Sequence, residues 1–346
     1  MKALTYDDIQ LIPDFSNIKS RGSIDLKTQI SKNFWLASPL VAAPMDTVCG
    51  LEMAWQMYLV GGAGCLHRFC SIDQQCEMTS GLKKRIEQSP SPVWKNQKAP
   101  IVAAIGVQKD DRLRATKLVE AGANILVIDV AHGDHQNVID MLHWCKETPL
   151  FIDVDIIAGN IATAESAIRL QEAGADGLRV GIGGGSLCTT RIKTGFGIPN
   201  VTSIERVSSV AKVPVMADGG IRTSGDIAKA LAVGANCVML GSLLAGTEEA
   251  PGESIINSNG HYKEYRGLAS KATKKIHGQQ TRNVEGESTI VKYKGHVKPI
   301  LDDLLDGVRS AFSYAGASSF DEYFPGYVEI TSAGAHEAKP HLTLQS

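Results

Sequence analysis

The sequence predicts an α/β protein, a (β/α)8 TIM barrel with a mobile lid after the eighth strand. Short apolar runs suited to buried parallel strands alternate along the chain with longer segments of helical pattern. Eight such runs occur, at residues 40–45, 63–67, 101–107, 125–131, 153–159, 177–182, 213–219 and 237–242. Eight alternating units with right-handed crossovers can close into a barrel, and its chemistry then lies on the loops after the strands.

The ends of three helical segments repeat one short pattern. The chain reads EAGAN at 120–124, EAGAD at 172–176 and AVGAN at 232–236. Each places a glycine where a helix C-cap precedes the next strand, which indicates a weak internal repeat of βα units. A doubly wound open sheet is the alternative fold, but no GxGxxG motif follows the first predicted strand.

We expect a single barrel domain over residues 1–346, although a chain of this length also permits two ordinary domains. Residues 83–100 are polar and contain proline, so we expect a surface linker without helix or strand. Residues 246–300 are rich in glycine, lysine and polar residues and follow the last strand, where a mobile lid can cover the barrel mouth. The tail after Tyr323 has little pattern, and we expect it to be partly disordered or to serve subunit contacts.

Charge and composition exclude several classes of partner. Lys and Arg total 35 against 37 Asp and Glu, so no global field draws the chain to nucleic acid or to a membrane surface. Acids stand at the start instead of a secretory signal, and no stretch reaches membrane-spanning length, which predicts a cytoplasmic protein. The seven cysteines include no CxxC pair, so we expect reduced thiols. A small charged metabolite is the expected partner.

Glycine-rich segments follow the last three predicted strands. GIGGGSLCTTR at 181–191 follows the sixth strand, and its glycines allow the backbone to approach a ligand or a cation closely. Gly219-Gly220 and Gly241-Ser242 follow the seventh and eighth strands, where barrels commonly bind phosphate through backbone N–H groups. Asp218 is placed to accept hydrogen bonds from a ribose diol beside that phosphate, and a helix-capping role is the alternative.

Six motifs together carry a family resemblance. They are LTYDDIQLIP at 4–13, APMDTV at 43–48, AGN at 158–160, GSLCTTR at 185–191, ADGGI at 217–221 and GSLLAGTEE at 241–249. Through them the chain resembles the IMP dehydrogenase/GMP reductase family from about residue 4 to residue 320, and is most similar to its bacterial GMP reductases. The resemblance implies a (β/α)8 barrel, usually a homotetramer, in which a catalytic cysteine bonds covalently to C2 of a purine nucleotide, GMP or IMP.

The resemblance also assigns residues to the substrate. It makes Cys188 the nucleophile, and Thr190 with Glu285 the pair that relays a proton to the departing amino group. The residues that it places at the phosphate, the ribose and the base are Met45, Ser186, Asp218, Gly220, Gly241, Ser242, Tyr265, Gly267 and Leu268. The alternative for Glu285 is an ordinary surface glutamate.

A nicotinamide cofactor, NADPH, is expected at Asp129, as the resemblance implies, and at Asn160 and Ser270. Its 2′-phosphate needs a cation, for which Arg68 and Arg282 are the candidates, beside the lysines at 271, 274 and 275. The alternative for each of these cations is a solvated surface charge. The carbonyls of Gly183, Gly185 and Cys188 correspond to the family's potassium-binding loop. The residue between the two glycines is often Pro in that motif, whereas it is Gly184 here, which leaves the stiffness of the loop and its need for K⁺ undecided.

The family contains two activities, and three features favour the reductase. Residues 83–100 are too few to encode the regulatory module that most IMP dehydrogenases carry near this position. The predicted lid has no Arg-Tyr pair after Ser270, a pair that dehydrogenases use to activate water. IKTGFG at 192–197, HRF at 67–69 and NVEGE at 283–287 are similar to bacterial GMP reductases. Against this, YRGLAS at 265–270 and SAGAHEAKPH at 332–341 look more like dehydrogenase sequence.

The sequence therefore favours an NADPH-dependent reductive deamination of GMP to IMP and ammonia. The first alternative is an IMP dehydrogenase without the regulatory module, which converts IMP and NAD to XMP. A flavin-binding barrel is the second, because phosphate sites after strands seven and eight also hold FMN. A non-catalytic nucleotide sensor is disfavoured, since Cys188, Thr190 and Glu285 occur together.

Overall fold

The computed structural model describes residues 2–95, 97–267 and 286–337. Its strands are β1 (Ile9–Leu11), β2 (Thr28–Ser31), β3 (Phe34–Leu36), β4 (Leu40–Ala42), β5 (Ala63–Leu66), β6 (Val102–Ile105), β7 (Ile125–Asp129), β8 (Asp155–Ile161), β9 (Gly177–Val180), β10 (Val215–Asp218), β11 (Cys237–Leu240), β12 (Ser254–Asn257), β13 (Gly260–Arg266), β14 (Ser288–Lys292) and β15 (Tyr327–Glu329). Its helices are α1 (Leu51–Leu59), α2 (Ile72–Gln88), α3 (Lys109–Glu120), α4 (Gln136–Glu147), α5 (Ala164–Glu172), α6 (Thr190–Thr194), α7 (Asn200–Ser208), α8 (Ser224–Ala232), α9 (Val297–Tyr314) and α10 (Ser332–Glu337).

Within the described residues, the eight parallel strands β4 to β11 form a closed barrel. Each pairs with its neighbour in the chain, and β11 also pairs with β4, so that Val238 lies opposite Leu40 and no edge stays open. Each predicted apolar run contains all or most of one of these strands. The predicted (β/α)8 barrel is confirmed, and the doubly wound sheet is excluded.

Alternate residues of the barrel strands face different cores. On β6, Val102 and Ala104 belong to the apolar cluster that fills the barrel, whereas Ala103 and Ile105 belong to the cluster between the barrel and its helices. Because both faces are buried, each strand reads as a continuous apolar run instead of an alternating one. This burial is the physical reason why the strands could be recognised in the sequence.

Three helices end on the glycines that the repeated pattern singles out. Gly122, Gly174 and Gly234 follow the ends of α3, α5 and α8, with φ angles of 112°, 99° and 104°. Glycine adopts this left-handed conformation without the steric cost that a Cβ brings, so each helix can turn sharply into the next strand. No helix in the described part of the chain combines the length and the apolar composition that a membrane span requires.

The hairpin of β2 and β3 lies at the amino-terminal end of the barrel. The Ser31 hydroxyl and the backbone N–H of Asn33 donate to the carboxylate of Asp155, at 2.6 and 2.8 Å. Asp155 is the first residue of β8. The Thr28 hydroxyl donates to the carbonyl of Asn236, at 2.8 Å, just before β11. These contacts cover one end of the barrel, and the carboxyl-terminal ends of the strands remain for a site.

The segment predicted as a lid contains a three-stranded antiparallel sheet after β11. In it β13 pairs with β12 and with β14, and the chain between β13 and β14 includes residues 268–285, which lie outside the described residues. The buried ammonium of Lys263 on β13 donates to the carbonyls of Thr247 and Glu248, at 3.0 and 3.2 Å. The sheet is thereby tied to the turn that follows β11, while the mobility of the lid stays a prediction.

The expectation of a linker without helix over residues 83–100 is wrong. Residues 83–88 continue α2, because Leu82 and Ile86 pack against the core on one helix face. Trp94 is then buried, stacked on Tyr58 with ring centroids 5.7 Å apart. A few widely spaced apolar residues decide this structure, which is too weak a pattern to read from sequence.

The tail after Tyr323 contains the short strand β15, which pairs antiparallel with β1. Its partial disorder and its use in subunit contacts stay predictions.

All seven cysteines lie among the described residues as free thiols, as expected from the sequence. Burial raises the pKa of the Cys49 and Cys237 thiols well above the ordinary value, which keeps them protonated and unreactive. Cys188 is only partly buried. The cysteine that the sequence singles out is therefore accessible, whereas several of the others belong to the core.

Candidate active site

A cavity of about 390 Å³ opens at the carboxyl-terminal ends of the barrel strands. Its lining includes every predicted site residue that the structure describes, namely Met45, Arg68, Asp129, Asn160, Gly183, Gly185, Ser186, Cys188, Thr190, Asp218, Gly220, Gly241, Ser242, Tyr265 and Gly267. The remaining predicted site residues, Leu268, Ser270, Arg282 and Glu285, lie outside the described residues. Residues distant in the chain thus meet at the end of the barrel where the fold predicts chemistry.

The candidate nucleophile Cys188 lies in the loop between β9 and α6. Its Sγ donates to the Thr190 hydroxyl, with 3.1 Å between Sγ and Oγ1. Its backbone N–H donates to the carbonyl of Gly185, at 3.1 Å, which closes the loop into a turn. Cys188 also pairs with Gly286 in an isolated antiparallel β-bridge. The thiol therefore has a hydroxyl partner, and its loop is held by the chain that returns from residues 268–285.

Another part of the cavity wall is built around Tyr265. Its hydroxyl lies 3.1 Å from the Ser186 Oγ, and the ring is 4% exposed. Burial raises the pKa of Tyr265, so the phenol stays protonated and can donate. A Cβ at Gly241 would lie 3.3 Å from the Met45 sulfur and 3.4 Å from the Tyr265 hydroxyl. A side chain at position 241 would crowd the Met45 sulfur and the Tyr265 hydroxyl, whereas glycine leaves the backbone there accessible from the cavity.

The two glycines after β10 adopt a conformation that other residues rarely reach. Gly219 and Gly220 have φ angles of 83° and 74°. A Cβ at Gly219 would also lie only 3.1 Å from the backbone nitrogen of Gly185. The loop after β9 and the loop after β10 therefore pack backbone against backbone, which brings their amides to one cavity.

Sequence reasoning missed Arg179, a buried arginine on β9. Its guanidinium forms an ion pair with Asp218 at 3.0 Å and a second with Asp129. Burial by itself lowers the pKa of Arg179, but the two carboxylates outweigh it and raise that pKa above its ordinary value. A charged residue inside the apolar run GLRV at 177–180 is the signal that could have found it.

Asp218 is held from two sides at the end of β10. The Asn160 amide donates to its Oδ2 at 2.5 Å, and the Arg179 Nε donates to the same oxygen at 3.0 Å. The helix that follows is capped by Thr223, whose hydroxyl accepts from the Asp226 N–H. The helix-capping alternative for Asp218 is therefore wrong, and its carboxylate is oriented in the cavity wall.

Arg68 extends this set of charges to the edge of the cavity. Its Nη2 donates to the Asp129 carbonyl at 3.0 Å, and its Nε lies 3.5 Å from the Asp129 carboxylate. The alternating charges of Arg68, Asp129, Arg179 and Asp218 cross the mouth of the barrel, so the residues predicted for cofactor and for ribose share one network.

A second, larger cavity of about 1,090 Å³ adjoins the first and shares Arg68 and Phe69 with it. Its other wall residues come mainly from the start of α2 with the loop before it and from the start of α3, among them Cys70, Ser71, Gln74, Gln108, Asp111 and Arg114. Sequence reasoning missed this cavity because no motif marks its residues. This second cavity therefore continues the first one beyond Arg68.

The predicted cation loop offers backbone oxygens. Gly183 has a φ angle of 83°, and the Gly185 carbonyl already accepts the Cys188 N–H. Among the described residues, no group of three or more His, Cys, Asp or Glu side chains is placed to hold a metal ion. Neutral carbonyls without carboxylates fit a weakly charged monovalent ion better than a divalent one.

Comparison with known proteins places this site in a family. The family model described as the IMP dehydrogenase / GMP reductase domain matches residues 3–341. The chain belongs to this family. An inosine-5'-monophosphate dehydrogenase of Cryptosporidium parvum is 39% identical, over 98% of this chain and 95% of the relative. A GMP reductase of Leishmania major is 34% identical, over 98% of this chain and 97% of the relative.

A solved structure shares both the fold and the family. It is a GMP reductase from Trypanosoma brucei, a cysteine-to-alanine variant in complex with guanosine 5'-monophosphate. It superposes with a TM-score of 0.92 and is 33% identical, covering 99% of this chain and 98% of its own. The family members are oxidoreductases that use a nicotinamide cofactor, and both of the family's activities occur among the relatives.

Chain length does not separate the two activities among these relatives. The alignment with the C. parvum dehydrogenase spans 390 positions, whereas the alignment with the L. major reductase spans 479. Both exceed the 346 residues of this chain, and the reductase alignment is the longer. The lack of room for a regulatory module in residues 83–100 therefore does not decide between the two activities, and the choice depends on the site.

Proposed function

We propose that the protein is a GMP reductase that converts GMP to IMP and ammonia with NADPH. The observation that carries the proposal is the contact of the Cys188 thiol with the Thr190 hydroxyl, beside Gly286. Of the predicted Thr/Glu pair, Thr190 contacts the nucleophile directly. Glu285 immediately precedes Gly286, the residue that pairs with Cys188. The chain also lacks the Arg-Tyr pair that dehydrogenases use after Ser270.

The reaction follows from these groups. The Cys188 sulfur attacks C2 of the purine, and the Thr190/Glu285 pair delivers a proton to the 2-amino group. Ammonia then leaves, and the purine stays bonded to sulfur. Bound NADPH would supply the hydride that replaces the amino group at C2, and breaking of the C–S bond would then return the Cys188 thiol and release IMP. Overall, GMP, NADPH and two protons give IMP, NADP⁺ and ammonium, so the step balances.

The substrate would lie along the cavity wall. Backbone amides of Gly220, Gly241 and Ser242 and the hydroxyls of Ser186 and Tyr265 would bind the phosphate. Asp218 would accept hydrogen bonds from the ribose, and Met45 would contact the base. Gly267 and Leu268 complete the proposed pocket. Support comes from the 390 Å³ cavity that unites the described members of this set.

NADPH would bind beside the substrate, at Asp129, Asn160 and Arg68, with Ser270 and Arg282 proposed from sequence. The adjoining 1,090 Å³ cavity has room for the remainder of a dinucleotide. Carbonyls of Gly183, Gly185 and Cys188 would hold K⁺ and stiffen the loop. We also propose a cytoplasmic homotetramer, whose assembly analytical ultracentrifugation measures.

One assay separates the two activities of the family. We expect purified protein to oxidise NADPH only when GMP is present, with one ammonia released per IMP formed. NADH is expected to be a poorer donor than NADPH. The same preparation is incubated with IMP and NAD, and XMP is quantified by chromatography. XMP formation without GMP-dependent NADPH oxidation would assign the chain to the dehydrogenases.

The dehydrogenase remains the second candidate on one specific observation. The C. parvum dehydrogenase is more similar to this chain, at 39% identity, than the L. major reductase is, at 34%. Overall identity mainly reflects the shared barrel and phosphate site, whereas the activities differ at the water-activating or proton-relaying residues. We therefore give the site more weight than the identity.

We expect Glu285→Gln to slow ammonia release by about 10²- to 10⁴-fold while leaving the affinity for GMP nearly unchanged. The reason is that Gln cannot donate a proton as an acid, although it preserves size and hydrogen bonding. Stopped-flow measurement of ammonia release and calorimetric titration with GMP check the two quantities. Glu287→Gln, an exposed position two residues away, is the matched control. Wild-type turnover in Glu285→Gln would make Glu285 a surface residue.

A further inference from the structure

Asn200, the first residue of α7, lies between the loop that carries Cys188 and the loop after β10. Its side chain is nearly buried, at 6% exposure, and its Nδ2 donates to the Gly219 carbonyl at 2.7 Å. The buried phenol of Tyr6 packs on the same glycine turn, 3.8 Å from where a Cβ at Gly220 would stand. Asn200 is thus a buried amide that joins a helix to the proposed phosphate loop.

The same side chain occupies the space beside two glycines. A Cβ at Gly184 would lie 2.6 Å from the Asn200 Oδ1 and 2.7 Å from its Nδ2. A Cβ at Gly220 would lie 2.8 Å from that Nδ2. Contacts this short do not occur between real Cβ atoms and their neighbours, so Asn200 fits tightly against both loops.

At position 184 a side chain is restricted by a neighbouring residue, whereas at Gly183, Gly219 and Gly220 the backbone conformation itself favours glycine. The φ angle of Gly184 lies outside the left-handed region, so its backbone conformation suits any residue. All three atoms nearest to its missing Cβ belong to Asn200. A side chain is therefore excluded at position 184 by Asn200 and not by backbone strain.

We propose that Asn200 is a positioning residue that locks the nucleophile loop, residues 183–188, against the glycine turn at 219–220. The amide packs on one loop at Gly184 and hydrogen-bonds the other at Gly219. Three consecutive glycines, residues 183–185, make this loop intrinsically flexible, and the tightly packed Asn200 restricts it. The reactive sulfur and the phosphate-binding amides are then held at a constant separation, which matters because displacement by about 1 Å costs roughly 10²-fold in rate.

The proposal predicts a specific dependence between two substitutions. Asn200→Ala releases the loops and should weaken GMP binding by about 10- to 100-fold. Gly184→Ala should weaken it at least as much, since the new methyl collides with the amide. In the double variant the collision partner is gone, so its affinity should match that of Asn200→Ala within about threefold. If the two substitutions acted independently, their fold-losses of GMP affinity would multiply in the double variant.

GMP affinity is measured by calorimetry, and the affinity for guanosine, which lacks the phosphate, by competition with GMP. A positioning role at the phosphate loop predicts that guanosine binding changes less than threefold in each variant. Ser209→Ala, at the exposed end beyond α7, is the matched control. If Gly184→Ala does not fold, the comparison is made on soluble yield and melting temperature, and the double variant must then recover both.

The inference rests on the proposed substrate, and the two can fail separately. Wild-type protein that does not bind GMP contradicts the proposed function. Wild-type protein that binds GMP, together with multiplicative losses in the double variant, overturns the role of Asn200. Equal losses for guanosine and GMP also overturn it, because they indicate a general loss of folding instead of a displaced phosphate loop.

Discussion

Replacing Cys188 with alanine is expected to abolish turnover while GMP still binds. The sulfur is the attacking group of the proposed reaction, and the hydroxyl of Thr190 beside it is too weak a nucleophile to replace it. Turnover should fall by roughly 10³-fold or more, the scale on which enzymes lose rate with a covalent nucleophile. The proposed phosphate site, around Tyr265 and Gly241, makes its described contacts without this side chain.

Calorimetry measures the affinity of the variant for GMP, and NADPH oxidation measures its turnover. Cys76→Ala, a partly exposed cysteine on α2 outside the smaller cavity, is the matched control and should retain activity. Pre-incubation with GMP should also protect Cys188 from thiol alkylation while leaving Cys76 reactive. The T. brucei relative, a cysteine-to-alanine variant in complex with GMP, is consistent with binding without the sulfur in that protein. Appreciable turnover of Cys188→Ala would rule out covalent catalysis.

The barrel was predictable because its strands are buried on both faces. Val102 to Ile105 reads as an unbroken apolar run. Gly122 marks the point where α3 ends before β7 begins. Such signals are local in the sequence, so they need no knowledge of tertiary contacts. The closed order of the strands then follows from the number of units and the handedness of their connections.

The site was predictable only in part, for a physical reason. The glycine loops and Cys188 are recognisable because close backbone approach and nucleophilic chemistry restrict the residue types. Arg179 and Asn200 act through partners that lie far away in the chain, Asp129 at 50 positions and Gly219 at 19. The sequence around Arg179 and Asn200 contains no pattern that predicts those contacts. The 1,090 Å³ cavity has the same origin, since its wall combines the beginnings of α2 and α3, which only the fold brings together.

The final expectation concerns Asp218, whose replacement by asparagine should weaken GMP binding by about 10²- to 10³-fold. Its Oδ2 is occupied by Arg179 and Asn160, and among the described residues its Oδ1 makes no hydrogen bond, so that oxygen can accept from a ligand in the cavity that Asp218 lines. Hydrogen bonds from a ribose diol to a carboxylate contribute about 1.5–3 kcal/mol each, which corresponds to this loss. The change also leaves the buried Arg179 with one carboxylate, Asp129, instead of two.

The choice of nucleotide separates a ribose contact from a general disturbance of the charge network. If Asp218 accepts from the diol, Asp218→Asn should weaken GMP far more than 2′-deoxy-GMP, because the deoxy compound has one hydroxyl fewer to lose. The preference of the wild-type protein for GMP over 2′-deoxy-GMP should therefore shrink. Asp306→Asn, an exposed position on α9, is the control and should change neither affinity. Equal losses for both nucleotides, with a lowered melting temperature, would assign Asp218 to the support of Arg179 and remove it from the ribose site.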